Sequence, residues 1–273
     1  MHLPKLISRI VLATSLATIV HTSHAAIVVK SGEKVAFLGD SITEAGWRSP
    51  AGYVRLVMAG LKANGIEAEA LPAGISGHKS NQMLARLESQ VLSKKPQWMT
   101  LSCGVNDVWH GDKGVPLDQY KVNITKIVDD AAAAGVKVIL TTATVIKEKL
   151  DGPENVRLVA YNDFLRALAK EKNLPLADLN AMFQERLKAE NKPDKLVLTG
   201  DGVHMNTEGD QLMATGILRA MGLDDAAMAK AQASWTDIVA KADAAAKAKA
   251  AAKAAEKAAA AKAAAEAAVP APK

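Results

Sequence analysis

Four short segments of this 273-residue sequence set a hydroxyl, an imidazole, a carboxylate and amide groups beside glycine. The first, Gly39-Asp40-Ser41-Ile42-Thr43, directly follows a buried apolar run. A serine just past a strand, where a turn or helix begins, projects its hydroxyl into a crevice. Backbone N–H groups nearby can then stabilise negative charge. The same residues also read as a Ser or Asp helix cap. The second, Gly74-Ile75-Ser76-Gly77-His78, is either a close-approach backbone loop or a plain flexible turn. The third, Gly104-Val105-Asn106-Asp107-Val108-Trp109-His110-Gly111, offers Asn106. Its amide can aim an N–H at an oxyanion or fold into an Asx turn. The fourth is Asp201-Gly202-Val203-His204. An acid three positions before a histidine, across a glycine turn, can fix the imidazole tautomer and stabilise the imidazolium. Beyond residue 25 the chain has His78, His110 and His204, and only His204 has an acid at this spacing in a short turn.

These segments must be positioned by something, and the hydropathy pattern says what. Short apolar runs over 34–38, 67–71, 98–102, 136–142 and 174–178 read as strands. Helix-spaced apolar residues cover 55–63, 81–92, 117–134, 156–172 and 207–221, and Asn64-Gly65 and Gly135 act as stops. Such alternation predicts a parallel sheet covered on both faces. In such sheets ligands bind beyond the carboxyl ends of the strands, which is where three of the four polar segments fall.

The ordered series Gly-Asp-Ser-Ile-Thr, Gly-Ile-Ser-Gly, Gly-x-Asn-Asp and Asp-Gly-x-His resembles the block series of the GDSL/SGNH hydrolase family, over residues 35–220. The resemblance implies an α/β fold, a three-layer α/β/α flavodoxin-like sandwich of about five parallel strands. It implies Ser41 as nucleophile, His204 as base and Asp201 as its orienting acid. It also implies an oxyanion hole built from the Ser41 and Gly77 backbone N–H groups and the Asn106 side chain. Pro72 and Ala73 stand where many members carry an asparagine, a departure in the second block. The Gly-x-Ser-x-Gly elbow of α/β-hydrolases is lacking at Ser41, which disfavours that fold. Asp40 and Asp107 are read as loop braces rather than reacting groups. The expected reaction is acyl transfer to water, with no metal and no cofactor. The loop around Asn106 is similar to that of secreted bacterial members grouped with carbohydrate O-acetyl esterases. That implies a small-molecule or glycan ester as partner, with Trp47, His78, Trp109 and His110 as candidate substrate contacts. Alternatives are a broader lipolytic esterase or lysophospholipase, a metal-dependent hydrolase using the histidines, and a non-catalytic glycan-binding envelope protein.

Composition bounds the rest. The formal charge of +5 is uneven. Lys5 and Arg9 supply +2, and residues 230–273 hold eight lysines against four acids, which leaves the body at −1. With aromatics at 4%, no nucleic-acid-binding face is indicated. The single cysteine, Cys103, excludes an internal disulfide and reads as a small buried residue. Lys5 and Arg9, the apolar run 10–20 and Ser23-His24-Ala25 read as an export signal over 1–25, cut before Ala26. The expected location is therefore secreted or periplasmic. The hydrolase domain is expected over 26–223, followed over 224–273 by an Ala/Lys-rich helical extension. Within it, residues 240–268 lack a stripe of large apolar residues, read as partly helical and solvated, and are a candidate for cell-envelope contact through their lysines. Residues 224–239, with Trp235, are read as able to dock on the body.

Overall fold

The computed structural model describes residues 27–192 and 195–267. The expected export signal and the terminal prolines lie outside the described residues. Five strands form one parallel sheet, β1 (Lys34–Gly39), β2 (Glu69–Gly74), β3 (Trp98–Ser102), β4 (Lys137–Thr141) and β5 (Leu176–Ala177), in the order β2-β1-β3-β4-β5. β3 is buried along its whole length and β1 and β4 nearly so, which is why all three read as continuous apolar runs. β2 lies at an edge and starts two residues later than the sequence pattern predicts. Its Pro72, paired in register with Phe37, is tolerated because an edge strand can spare an N–H.

Helices cover both faces. On one side α1 (Ser41–Arg48), α2 (Tyr53–Ala63), α7 (Leu179–Glu190) and α8 (Thr207–Ala220) pack together. On the other lie α3 (Ser80–Gln90), α4 (Val105–Trp109), α5 (Leu117–Ala133) and α6 (Pro153–Glu171). The helix α7 has no counterpart in the sequence reading. Its apolar stripe is thin, with Leu179 and Phe183 buried and polar residues between, so its periodicity is weak. It is started instead by Asp178, whose carboxylate accepts from Ala181 N at 3.2 Å and pairs with Arg166.

The C-terminal segment is one continuous helix, α9 (Asp225–Ala267). Its first turns are part of the packed body. Met228, Ala231 and Trp235 are buried, and Trp235 Nε1 donates to Leu56 O at 2.8 Å. As far along as Asp243 it still touches α8, where Thr207 Oγ1 donates to the Asp243 carboxylate. Among the described residues no helix is long and apolar enough to cross a membrane.

α8 is tied to α2 by Asp210, which accepts from Tyr53 N at 2.8 Å. Burial pushes the Asp210 carboxyl up to about 7, against the opposing pull of that hydrogen bond. The folded state therefore holds this proton more tightly than the unfolded chain does. The contribution of Asp210 to stability is full below the ordinary carboxylate range and is lost as pH rises through about 7. Asp210→Asn keeps an acceptor for Tyr53 and removes the charge. It is predicted to be more stable than wild type at pH 8 by on the order of 2 kcal/mol. In urea unfolding the gap should close towards pH 4.

Candidate active site

The sheet order reverses between β1 and β3, and the carboxyl ends of these strands open the crevice that such a reversal creates. Ser41 leaves β1 there as the first residue of α1. Its predecessor Asp40 is the helix cap, its Oδ1 accepting from Ile42 N at 2.9 Å. The cap reading thus holds for Asp40, the residue before Ser41. Asp40 caps, and Ser41 keeps a hydroxyl that its own helix does not use and one of the N–H groups that no carbonyl of that helix can reach. Gly39 permits the sharp exit, because a Cβ there would lie 1.9 Å from Thr43 Oγ1.

From the far end of the body, a narrow hairpin brings the imidazole. Thr199 and Met205 form an antiparallel bridge, and Gly200 N donates to His204 O at 2.8 Å. At its tip Asp201 Oδ1 accepts from Val203 N and His204 N, at 3.0 and 2.8 Å. Oδ2 lies 2.7 Å from His204 Nδ1, and His204 Nε2 lies 2.8 Å from Ser41 Oγ. With the carboxylate accepting from Nδ1–H, Nε2 is the bare nitrogen and Ser41 donates to it. Partial burial works against ionisation of Asp201. The His204 ring and the two backbone N–H groups together outweigh it and hold the carboxyl below its ordinary range. Asp201 and His204 are open to solvent, with side chains 58% and 44% exposed.

Opposite the hairpin, the segment after β2 makes a turn closed by His78 N donating to Ile75 O at 3.2 Å. Gly77 is its third residue, at φ +76, a conformation that suits glycine. Asn106, on the first turn of α4, donates from Nδ2 to His78 O at 3.2 Å, which leaves the second N–H of that amide for another acceptor. Asp107 braces the same corner. Its Oδ1 accepts from Ser80 N and Ser80 Oγ at 3.0 and 2.6 Å. Both bracing acids are buried. Burial, with Asp107 adding repulsion, lifts Asp40 to about 6, the Ile42 hydrogen bond opposing. Burial likewise raises Asp107, against the Ser80 hydrogen bonds. Cys103 is buried with its thiol at 3.4 Å from Asp107 Oδ2, and burial raises it far above the ordinary thiol range.

Arg86 is the residue that sequence reasoning missed. It is 6% exposed and has no carboxylate partner at ion-pair distance among the described residues. Its guanidinium donates to Gly39 O and Ala73 O, both at 2.7 Å, to Gln90 Oε1 at 2.8 Å and to His78 Nδ1 at 3.1 Å. It therefore fastens the ends of β1 and β2 to the turn that carries Gly77. Burial and the Arg86 charge both lower the His78 pKa, and Nδ1, which accepts from Arg86 Nε, is the bare nitrogen of that ring. A signal existed in the sequence: an arginine on the buried stripe of α3, between Met83 and Leu87, where a charge needs a partner.

The remaining candidates lie further out. Trp47 sits in the last turn of α1 with the Arg55 guanidinium 4.1 Å over its ring. Trp109 ends α4 with Lys147 Nζ 5.3 Å from its ring centre, and His110 beside it is exposed. Neither tryptophan nor His110 hydrogen-bonds Ser41, His204 or Asp201 among the described residues. His78 has its Nδ1 and its carbonyl committed to Arg86 and Asn106. Among the described residues no cluster of three or more His, Cys, Asp or Glu could hold a metal ion.

The model of the GDSL-like lipase/acylhydrolase family matches residues 37–212, a span that contains Ser41, Asn106, Asp201 and His204. The acetylxylan esterase of Geobacillus stearothermophilus is 30% identical over 215 residues, covering 72% of this chain and 97% of that protein. The solved structure of acetyl xylan esterase AlAXEase superposes with a TM-score of 0.64 at 36% identity, covering 68% of this chain and 98% of that one. That of Axe2, an acetylxylan esterase from Geobacillus stearothermophilus, gives a TM-score of 0.64 at 29% identity, covering 72% and 97%.

Replacing Arg86 by leucine removes a buried donor from Ala73 O and from Gly39 O, the latter still held by Ile75 N at 3.1 Å. Each unsatisfied group costs about 1–3 kcal/mol. Arg86→Leu is expected to lower the urea-unfolding free energy by about 1–3 kcal/mol. Wild-type stability in that variant would contradict the bracing role given to Arg86.

Proposed function

The chain belongs to the GDSL-like lipase/acylhydrolase family and is a carboxylic ester hydrolase; from that premise we propose that it removes short acyl groups, acetyl above all, from carbohydrate esters through an acyl-enzyme on Ser41. One observation carries the reading. An unbroken line of hydrogen bonds runs from Ser41 Oγ through both nitrogens of His204 to Asp201, at 2.8 and 2.7 Å.

Ser41 Oγ attacks the ester carbonyl carbon while its proton passes to His204 Nε2. Asp201 holds the ring and balances the imidazolium it becomes. Negative charge gathers on the carbonyl oxygen. The donors available for it are Ser41 N–H, Gly77 N–H and the second N–H of Asn106. Loss of one such donor costs about 3–4 kcal/mol of transition-state stabilisation. The tetrahedral centre collapses, the bond to the leaving alcohol breaks, and His204 Nε2–H protonates that alcohol. Water then repeats the sequence and frees the acid and Ser41. The sugar-ester reading rests on the acetylxylan esterases among the relatives and on the openness of the Asp201–His204 side, which leaves room for a bulky alcohol.

Ser41→Ala is expected to abolish turnover of an acetyl ester while leaving the circular dichroism spectrum native. Asp201→Asn should cost about 10⁴ in kcat by favouring the wrong tautomer. Wild-type turnover in either variant contradicts the assigned roles. A series of esters from acetate to octanoate on one alcohol separates the sugar-acetyl reading from a lipolytic one. The first predicts a kcat/KM that falls with chain length, the second one that rises.

Export belongs to the same proposal. The basic start, the apolar run 10–20 and the small residues before Ala26 support cleavage there. Mass spectrometry of protein recovered from the medium or periplasm is expected to give Ala26 as the first residue. An intact Met1 would contradict it.

A further inference from the structure

The hairpin that carries Asp201 and His204 is held to the body by a segment the mechanism does not use. After β4 the chain passes through Lys147 and Glu148, two consecutive non-glycine residues at φ +59 and +52. Left-handed backbone at side-chain-bearing residues is strained, and such strain persists only where the surroundings over-determine it. Buried Asn155 does so. Its Oδ1 accepts from Ile146 N at 2.9 Å, and its Nδ2 donates to Ile146 O and Lys149 O, each at 2.6 Å.

The strained pair turns the Glu148 side chain and the Lys147 N–H towards the hairpin. Glu148 Oε2 accepts from Val197 N at 2.7 Å. Its Oε1 accepts from Leu198 N at 2.9 Å and from Thr199 Oγ1 at 2.5 Å. Thr199 Oγ1 in turn accepts from Gly202 N at 3.1 Å, and Lys147 N donates to Gly202 O at 2.6 Å. Both peptide groups of Gly202, between Asp201 and His204, are thus reached from this one segment. Of the hairpin's other hydrogen bonds, several are internal to residues 197–206, Asn206 ties its end to α8 through Glu208 N and Gly209 N, and His204 meets Ser41.

We infer that Glu148 is a positioning residue for the Asp201–His204 pair, acting through Val197, Leu198 and Thr199 to set the distance from the imidazole to Ser41. The inference rests on the relay proposed above. Glu148 touches neither the reacting hydroxyl nor the imidazole. Its carboxylate accepts three donors at once, which a carboxamide cannot do without turning an N–H towards a donor.

The test uses the full chain, with a fluorophosphonate as active-site titrant and an acetyl ester as substrate, so that kcat is expressed per titrated site. Glu148→Ala is expected to lower kcat per site by about 100-fold, the size of effect that a misplacement near 1 Å produces. KM should stay within about threefold, since the ester's own contacts are untouched. Glu148→Gln keeps part of the acceptor set and is expected to recover activity to within about tenfold of wild type, but not fully. A wild-type kcat per site in Glu148→Gln overturns the inference, whether or not Glu148→Ala folds. So does a loss of titratable sites with kcat per remaining site unchanged, which is what a merely structural brace would give. Peptide mapping of the titrated wild type keeps the two ideas apart. Label on a residue other than Ser41 defeats the relay itself, whereas label on Ser41 with unchanged variants defeats only the role of Glu148.

Discussion

One contact organises the molecule: the 2.8 Å approach of His204 Nε2 to Ser41 Oγ, between residues 163 positions apart. Neither partner reaches the other through local structure. Ser41 is placed by the end of a buried strand, and His204 by a hairpin in front of the last helix of the sandwich. The distance between them is therefore set by the whole stack of β1, β3, α2 and α8. Rigid packing of this kind is what allows a hydrogen bond to be kept to a few tenths of an ångström.

The charges around that contact are sorted by solvent. Asp201 is open and anionic, supported by backbone N–H groups. Asp40 and Asp107 are buried, and burial raises both carboxyls. The acid that faces the imidazole is thus the one held below its ordinary range, and the two that cap and brace lie in surroundings that resist charge. Arg86 stands among them as a buried cation that donates to carbonyls and the bare nitrogen of His78. Its value lies in geometry, since one planar fork gathers the ends of two strands and the Gly77 turn.

Much of this was legible in the residues. The continuous apolar runs of β1, β3 and β4 announced strands buried on both faces, and glycine-bounded polar segments marked their carboxyl ends. The Asp201–His204 spacing was readable because the interaction is local, three residues across one turn. What escaped has a common cause. Arg86, Glu148 and the α7 helix owe their places to partners distant in sequence or to a cap, and neither leaves a period in the pattern. Strand β2 starts two residues and ends three residues later than its apolar run, and Pro72 inside it is acceptable because of its edge position. Residues 224–239 read as able to dock because Trp235 breaks the alanine pattern, and Met228, Ala231 and Trp235 are buried there.

The most direct test of the central claim is a crystal structure of the protein after reaction with a fluorophosphonate, whose tetrahedral phosphorus mimics the attacked carbonyl carbon. The account predicts phosphorus bonded to Ser41 Oγ. It also predicts the phosphonyl oxygen within about 2.7–3.1 Å of the Ser41 and Gly77 nitrogens and Asn106 Nδ2. Phosphorus on another residue, or a phosphonyl oxygen turned to solvent away from those three donors, would contradict it.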